Sequence, residues 1–401
     1  MIVVHIPSWF PDADKPLNGN FILRQIETIG AETKSVILHH TDEKFEPTIP
    51  ENVRFHRVPY QSKYSLPAAY IAEFKKIVQE YGKPDLIHLH VALPLGPIAS
   101  HIAKKYHIPL IVSEHWSVYQ PMNRSSLTLR QKWALRYTYR HASHVTAVSR
   151  NLLDNISATV AVVAQKPQSV VGNVVDTEVF SLKPTQPTRS KKRFLHVSTL
   201  DNDAKNIMGI LRAVDSLKKR RDDFELNIVH DFRNILAETF VRERGLDSVV
   251  HFLGQKTSSE IAALLQNTDF FLLFSNYENQ PCVLLESFCT GTPAVTTPVG
   301  GIPEIANSDN SVIVAPKDEA QLVEKMDYLL NSNDQIQPAL IRNQVLGICS
   351  PETIKKKWMD IYRPIMANSQ KLRDLHQLHL LEILQNGGNA FDVVISFHPY
   401  L

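Results

Sequence analysis

The sequence predicts an α/β protein with two doubly wound parallel-sheet units facing each other across a cleft. Three observations lead there. Short Val/Ile/Leu runs alternate with amphipathic stretches, the pattern of buried parallel strands joined by helices. The alternation stops at Lys183-Pro184-Thr185-Gln186-Pro187-Thr188-Arg189-Ser190-Lys191-Lys192, a polar stretch with two prolines that reads as a linker, and then restarts. The chain has 401 residues, which suits two domains at about 100–200 residues each.

Each element follows from its own pattern. In the first half Ile2–Ile6, Ser35–His39, Leu86–His90, Leu110–Ser113, Val145–Val148 and Ser169–Val171 read as strands. Ala68 to Glu80 and Pro97 to Tyr106 between them have helical spacing. After the linker come the strands Phe194–Ser198, Leu226–His230, Val249–Leu253, Phe270–Phe274, Ala294–Thr297 and Val312–Val314. An amphipathic helix, Ile207 to Leu217, follows the first of these. Open parallel sheets bind ligands outside the carboxyl ends of their strands, so two facing sheets put the site in the cleft.

Composition narrows the function. Hydrophobic residues are 43% and charged residues 21%, an ordinary globular balance. A net charge of +2 excludes a dedicated nucleic-acid binder. Residues 1–185 hold 20 Lys/Arg against 15 Asp/Glu, a net of +5, while the remainder is at 23 against 26, a net of −3. The basic first half suits an anionic partner or membrane surface, or is chance scatter; both readings stand. Three cysteines suit a reducing compartment, and Cys282 and Cys289 read as packing residues because no second pair completes a zinc site. Met1-Ile2-Val3-Val4-His5-Ile6-Pro7 lacks a basic leader and does not read as a signal peptide, and the apolar run Phe270 to Phe274 is too short to cross a bilayer.

The stretch Ser275 to Ile305 carries the chemistry. A strand ends at Ser275-Asn276-Tyr277, then come Glu278, Pro281, Val283-Leu284-Leu285 and Glu286. Pro281 suits the start of a helix and Gly291 its end, which places Glu278 before the helix and Glu286 on it. A helix N-terminus offers free N–H groups to an anion such as a diphosphate. Two carboxylates beside it accept hydrogen bonds from sugar hydroxyls. After Gly291-Thr292-Pro293-Ala294-Val295 comes Gly300-Gly301-Ile302-Pro303-Glu304, whose adjacent glycines let the backbone approach a ligand closely.

These residues resemble the retaining glycosyltransferases of family 4, which have the GT-B fold. That family has a Glu, seven residues and a second Glu, then Gly-x-Pro-x-Val and Gly-Gly-x-Pro-Glu; Glu278 and Glu286 match that spacing. The resemblance runs over about residues 1–365. It includes Gly19-Asn20-Phe21 with Arg24-Gln25, Leu86 to His90, Ser113-Glu114-His115, Val145 to Ser149, and Gly172 to Asp176 with Phe180. Ser350 to Pro364 resembles the family's last helix, which crosses back over the first domain. The domains then expected are an acceptor-binding 1–185, a nucleotide-sugar-binding 193–350, a crossover helix 351–366 and a tail 367–401 of unassigned role.

The resemblance implies a cytoplasmic, metal-independent enzyme without a cofactor that takes a sugar from a UDP- or GDP-linked donor. Its acceptor is a carbohydrate or a lipid-linked molecule, in polysaccharide or glycolipid assembly. Glu278, Lys205 and His115 are the expected catalytic residues: Lys205 offsets charge on the leaving diphosphate, and His115 meets a sugar hydroxyl. Glu286, Pro281, Cys282, Val283, Thr199, Gly19 and Asn20 are expected around the donor. Thr199 stands where the family usually has an Arg, so one phosphate-binding charge is missing or comes from elsewhere. His230-Asp231-Phe232 and Asn279-Gln280 also depart from the family. His5, His88 and His90 read as core residues or as supports behind the site. Asp201-Asn202-Asp203 reads as a cap or loop in preference to a metal site, and Asp12-Ala13-Asp14 is weaker still.

Leu127 to His144 mixes Arg130, Lys132, Arg136 and Arg140 with Trp133, Tyr137 and Tyr139. A solvated basic face is the preferred reading, with peripheral membrane contact as the alternative. In the tail, Leu372 to Leu384 has helical spacing, Gly387-Gly388 breaks it and Phe391 to Phe397 reads as a strand. Two other functions stay open: a nucleotide-sugar epimerase of the same fold, and a non-catalytic sugar-binding partner.

Overall fold

The computed structural model describes residues 1–11, 18–41, 48–59, 62, 64–184, 189–331 and 337–385. Asp12 to Asp14, part of the linker, the Gly387-Gly388 break and the strand expected at 391–397 lie outside the described residues.

Thirteen strands form two sheets among the described residues. The first sheet contains β1 (Ile2–Pro7), β2 (Lys34–His39), β3 (Val53–Arg57), β4 (Leu86–His90), β5 (Leu110–Glu114), β6 (His144–Ala147) and β7 (Gln168–Val170). Its order is β3-β2-β1-β4-β5-β6-β7, parallel throughout. The second contains β8 (Lys192–Ser198), β9 (Phe224–His230), β10 (Val250–Gly254), β11 (Phe270–Leu273), β12 (Ala294–Thr296) and β13 (Ser311–Ile313). Its order is β10-β9-β8-β11-β12-β13, also parallel. In each sheet the strand order reverses beside the first strand, at β1/β4 and at β8/β11, and crevices open at such points.

The alternation of side chains along each strand explains the layering. In β1, Val4 and Ile6 join a core with Leu89 of β4 and Tyr70, Phe74 and Ile77 of the Leu66–Tyr81 helix. Val3 points to the opposite face, where it meets Leu86 and Ile111. That face is covered by the long helix Pro351–Gln385, through Ile354, Trp358, Ile361 and Tyr362, spaced as one stripe of a helix. The Tyr362 hydroxyl also hydrogen-bonds His88 Nδ1 at 2.6 Å. In the second sheet, Phe194, Leu226 and Leu272 face the Ile207–Lys218 and Glu319–Asn331 helices. Leu195, Phe271 and Leu273 face the Cys282–Cys289 and Pro338–Cys349 helices.

The twelve expected strands are present, with bounds moved by one or two residues. β3 is an addition. It lies at the sheet edge, and its Val-Arg-Phe-His-Arg sequence is too polar for a buried run.

Candidate functional site

The helix Cys282–Cys289 sets the geometry. Leu284, Leu285, Phe288 and Cys289 are buried in the second unit's core, which fixes the helix in rotation. Pro281 occupies the position just before its first turn, and Gly291, at a positive φ of 74°, closes the other end. The loop from Ser275 to Gln280 therefore delivers Glu278 to the cleft beside the helix start. The Glu278 carboxylate is buried, accepts from Ser275 Oγ at 2.8 Å and pairs with Lys205 Nζ at 2.5 Å.

The two glycines of the Gly-Gly loop lie directly against the loop that carries Glu278. A Cβ on Gly300 would lie 1.7 Å from the Glu278 carbonyl oxygen, and Gly300 has a φ of 57°. A Cβ on Gly301 would lie 1.9 Å from the Asn279 carbonyl oxygen. The close approach is to the backbone of the Glu278 loop itself, which the glycines hold in place.

Lys205 ends a single helical turn, Asn202–Lys205, capped by the Asp201 carboxylate accepting from Asp203 N–H at 2.9 Å. Asp201-Asn202-Asp203 thus caps a helix. Asn276 ties this turn to the Glu278 loop: its N–H donates to the Ala204 carbonyl at 2.8 Å and its Nδ2 to the Asp203 carbonyl at 3.0 Å. Thr199 is exposed and, like Lys205 and Glu278, lines a cavity in the cleft.

The first unit contributes the opposite wall. Gly19, at a φ of 72°, opens the Asn20–Gly30 helix. A Cβ there would lie 2.5 Å from the Trp9 carbonyl oxygen, so the glycine lets Trp9 and Phe21 come together. His115 packs on Phe21, ring centres 4.8 Å apart, and its buried Nε2 has no hydrogen-bond partner. Burial lowers its pKa to about 3, which keeps the ring neutral. Next to it, Glu114 is fully buried and accepts from the N–H groups of Ala92, His115 and Trp116 and the hydroxyls of Tyr119 and Tyr139, at 2.9–3.1 Å. Burial pushes this carboxyl up, and those donors pull it partly back.

Between these walls lies a cavity of about 450 Å³, bounded by Trp9, Phe21, His115, Lys205, Glu278 and Cys282 among others. Burial pushes the Cys282 thiol up to about 12. Pro281, Val283, Gly19 and Asn20 do not line it. Glu286 also lies off it. Its carboxylate, 5% exposed as a residue, accepts from Arg24 Nη1 at 2.9 Å, while Arg24 Nη2 reaches Ser258 Oγ at 2.9 Å. Burial is the largest single influence and works against the Arg24 charge, but Glu286, helped by Cys282 and Asp176, leaves the pKa raised on balance.

Further contacts close the two units on each other. Asn173 N–H and Nδ2 donate to the Gln280 side-chain and backbone oxygens at 2.7 and 2.9 Å. Asn279 Nδ2 donates to the His115 carbonyl at 2.8 Å, and Gln120 Nε2 to Asn279 Oδ1 at 2.9 Å. Glu304 accepts from the N–H groups of Arg150 and Asn151 at 2.8 and 2.9 Å, capping the Arg150–Thr159 helix from the other unit. Sequence reasoning gave Arg24, Asn173 and Gln120 no role because the partners above lie more than 100 positions away, and gave Glu114 none because the hydroxyls of Tyr119 and Tyr139 come from other elements.

Among the described residues, His5, His88 and His90 form the one histidine cluster close enough to hold a metal, with ligand atoms within 4.8 Å. All three are fully buried, and five of their six ring nitrogens are engaged with Ser35, Tyr362, Ser113 or each other. They are core residues, as the sequence suggested.

Comparison with known proteins agrees with this architecture. Residues 32–179 match the model of Glycosyltransferase Family 4, and residues 177–344 that of Glycosyl transferases group 1. The chain is 25% identical to the MMP alpha-(1->4)-mannosyltransferase of Mycolicibacterium hassiacum, over 70% of this chain and 68% of that one. It is 26% identical to the N-acetyl-alpha-D-glucosaminyl L-malate synthase of Bacillus anthracis, over 71% and 76%. The crystal structure of Anabaena HepE in complex with UDP and glucose superposes with a TM-score of 0.68 at 18% identity, covering 90% of this chain and 98% of that one. Two parallel-sheet units facing across a cleft, matched along most of their length, make this chain a family 4-type glycosyltransferase of the GT-B fold.

Proposed function

We propose that the chain transfers a sugar from a nucleotide-diphosphate sugar to an acceptor hydroxyl with retention of anomeric configuration. The observation that carries this reading is the pairing of Lys205 with Glu278 at the start of the Cys282–Cys289 helix, opposite His115. The helix amides and Lys205 would meet the diphosphate. Glu278 would hold the donor sugar and Glu286 the ribose, each through hydroxyl hydrogens. Cys282, at the helix start, lies in the field of both Lys205 and Arg24, so Arg24 brings a second cation where Thr199 brings none. The bound UDP of the HepE complex makes a UDP-linked donor the first to try.

In the reaction the bond between the anomeric carbon and the diphosphate oxygen breaks, and the acceptor oxygen bonds to that carbon from the same face. The acceptor proton passes to the departing phosphate oxygen. Lys205 offsets the charge that builds there, which needs no metal ion. Neutral His115, with its free Nε2, would hold a hydroxyl of the donor sugar or the acceptor. The names of both relatives specify an alpha product, in keeping with an α-linked donor and retention. A carbohydrate or glycolipid acceptor, met on the cytoplasmic side, completes the proposal.

The test is a thermal-shift screen against UDP- and GDP-sugars, followed by NMR of the product made with the best donor. A stabilising nucleotide sugar and an α-linked product support the reading. No stabilisation by any nucleotide sugar, or a β-linked product from an α-linked donor, overturns it.

A further inference from the structure

One face of the first unit is not used by the cleft. Across residues 115–175 Asp154 is the lone acidic residue, against seven Lys and Arg. Most of those cations sit on the helix Leu129–His141. Its buried side, with Leu135 and Tyr139, packs into the first core. Its outer side exposes Arg130, Lys132, Arg136 and Arg140 together with two large apolar residues, Leu129 at 84% and Trp133 at 65%. At about 100° per residue, Leu129, Trp133, Arg136 and Arg140 fall within one narrow stripe.

Beside that stripe lies a cavity of about 840 Å³, lined by Lys132, Arg136, Arg140 and Lys166, and no carboxylate lines it. Lys166 donates to the Arg140 carbonyl at 2.8 Å, which fixes it at the rim. Burial and the neighbouring Arg140 both lower the Lys166 pKa, so positive charge is crowded there and lacks a counter-charge.

We propose that this face docks on an anionic lipid bilayer, with Leu129 and Trp133 entering the headgroup boundary and a lipid phosphate in the pocket of Lys132, Arg136, Arg140 and Lys166. Charge complementarity selects an anionic partner. The apolar residues within the cationic stripe select a lipid surface, since a soluble polyanion gives Leu129 nothing to bury against. No helix among the described residues is long and apolar enough to cross a membrane, and the proposed contact is made by this exposed face. The same helix carries Tyr139, whose hydroxyl donates to Glu114 beside His115 at 3.1 Å, so the docking helix is anchored directly to the cleft wall.

The test is cosedimentation of the full chain with vesicles of phosphatidylcholine alone or mixed with phosphatidylglycerol. Binding is expected to the mixed vesicles, weakened by added salt. R136A/R140A should reduce it roughly twenty-five-fold, at about fivefold per cation, and W133S should also reduce it. Both variants should keep the unfolding temperature and turnover of a soluble acceptor. Should the double variant fail to fold, R136Q alone carries the same test. Failure to bind the mixed vesicles overturns the proposal, as does undiminished binding by the variants or binding of single-stranded RNA in their place.

Discussion

Arg24 and Glu286 are 262 positions apart in the chain and 2.9 Å apart in the structure. One belongs to the first unit's opening helix, the other to the helix at the heart of the second. Glu286 is nearly buried, so losing Arg24 leaves a carboxylate without its counter-charge. A double-mutant cycle of Arg24→Ala and Glu286→Ala, read by chemical denaturation, should show coupling of about 0.5–3 kcal/mol. A cycle with no coupling would make the contact incidental. Glu286→Ala should also weaken nucleotide-sugar binding in calorimetry.

Lys205 should matter more for turnover than for binding. Its partner Glu278 keeps Ser275 when Lys205 is removed, so the loop retains one anchor. Lys205→Ala is expected to lower kcat by about 10²–10³-fold, the usual cost of losing one group that stabilises developing charge. Unchanged kcat removes Lys205 from the mechanism.

Two glycine substitutions should move in opposite directions. Gly300→Ala forces a methyl group into the Glu278 carbonyl, at a φ that favours glycine. It should lower the unfolding temperature and abolish most activity. Gly347, inside the Pro338–Cys349 helix, has open space around its Cα. Gly347→Ala should stabilise by about 0.5–1 kcal/mol and leave turnover unchanged. A harmless Gly300→Ala would disprove the role given to the Gly-Gly loop.

Acid should destabilise the fold in a defined window. Burial lowers the pKa of His5, His39 and His115 to about 3, that of His196 to about 4, and those of His88 and His90 well below the usual value. In the unfolded chain each titrates near 6.5. Below that pH the unfolded state takes up protons that the folded state refuses, so stability is full above it and falls as pH drops. Each such histidine contributes a slope of about 1.4 kcal/mol per pH unit. Denaturation midpoints measured from pH 8 to 4 should stay level and then drop steeply, and His39→Gln should soften the drop. A level profile throughout would show that these rings take up protons in the folded state.

The sheets were legible because buried parallel strands write themselves as apolar runs; Leu86–His90 and Phe270–Leu273 are buried along nearly their whole length. β3 was hidden because an edge strand tolerates Arg and His. Within the site, Glu278, Lys205 and His115 could be named from short local motifs. Arg24 and Glu114 could not, since a lone charge in a sequence does not reveal a partner on another element. The two glycines were identified, yet what they lie against depends on a loop folding back from Glu278.

The seating of Trp358 and Tyr362 beneath the first sheet has a consequence for biosynthesis. On the ribosome the first half emerges with Val3, Leu86 and Ile111 still uncovered, and its cover is made only after the whole second sheet. Maturation of that half therefore waits for the other half to be built, and a nascent chain stalled before Trp358 would show an apolar sheet face to chaperones.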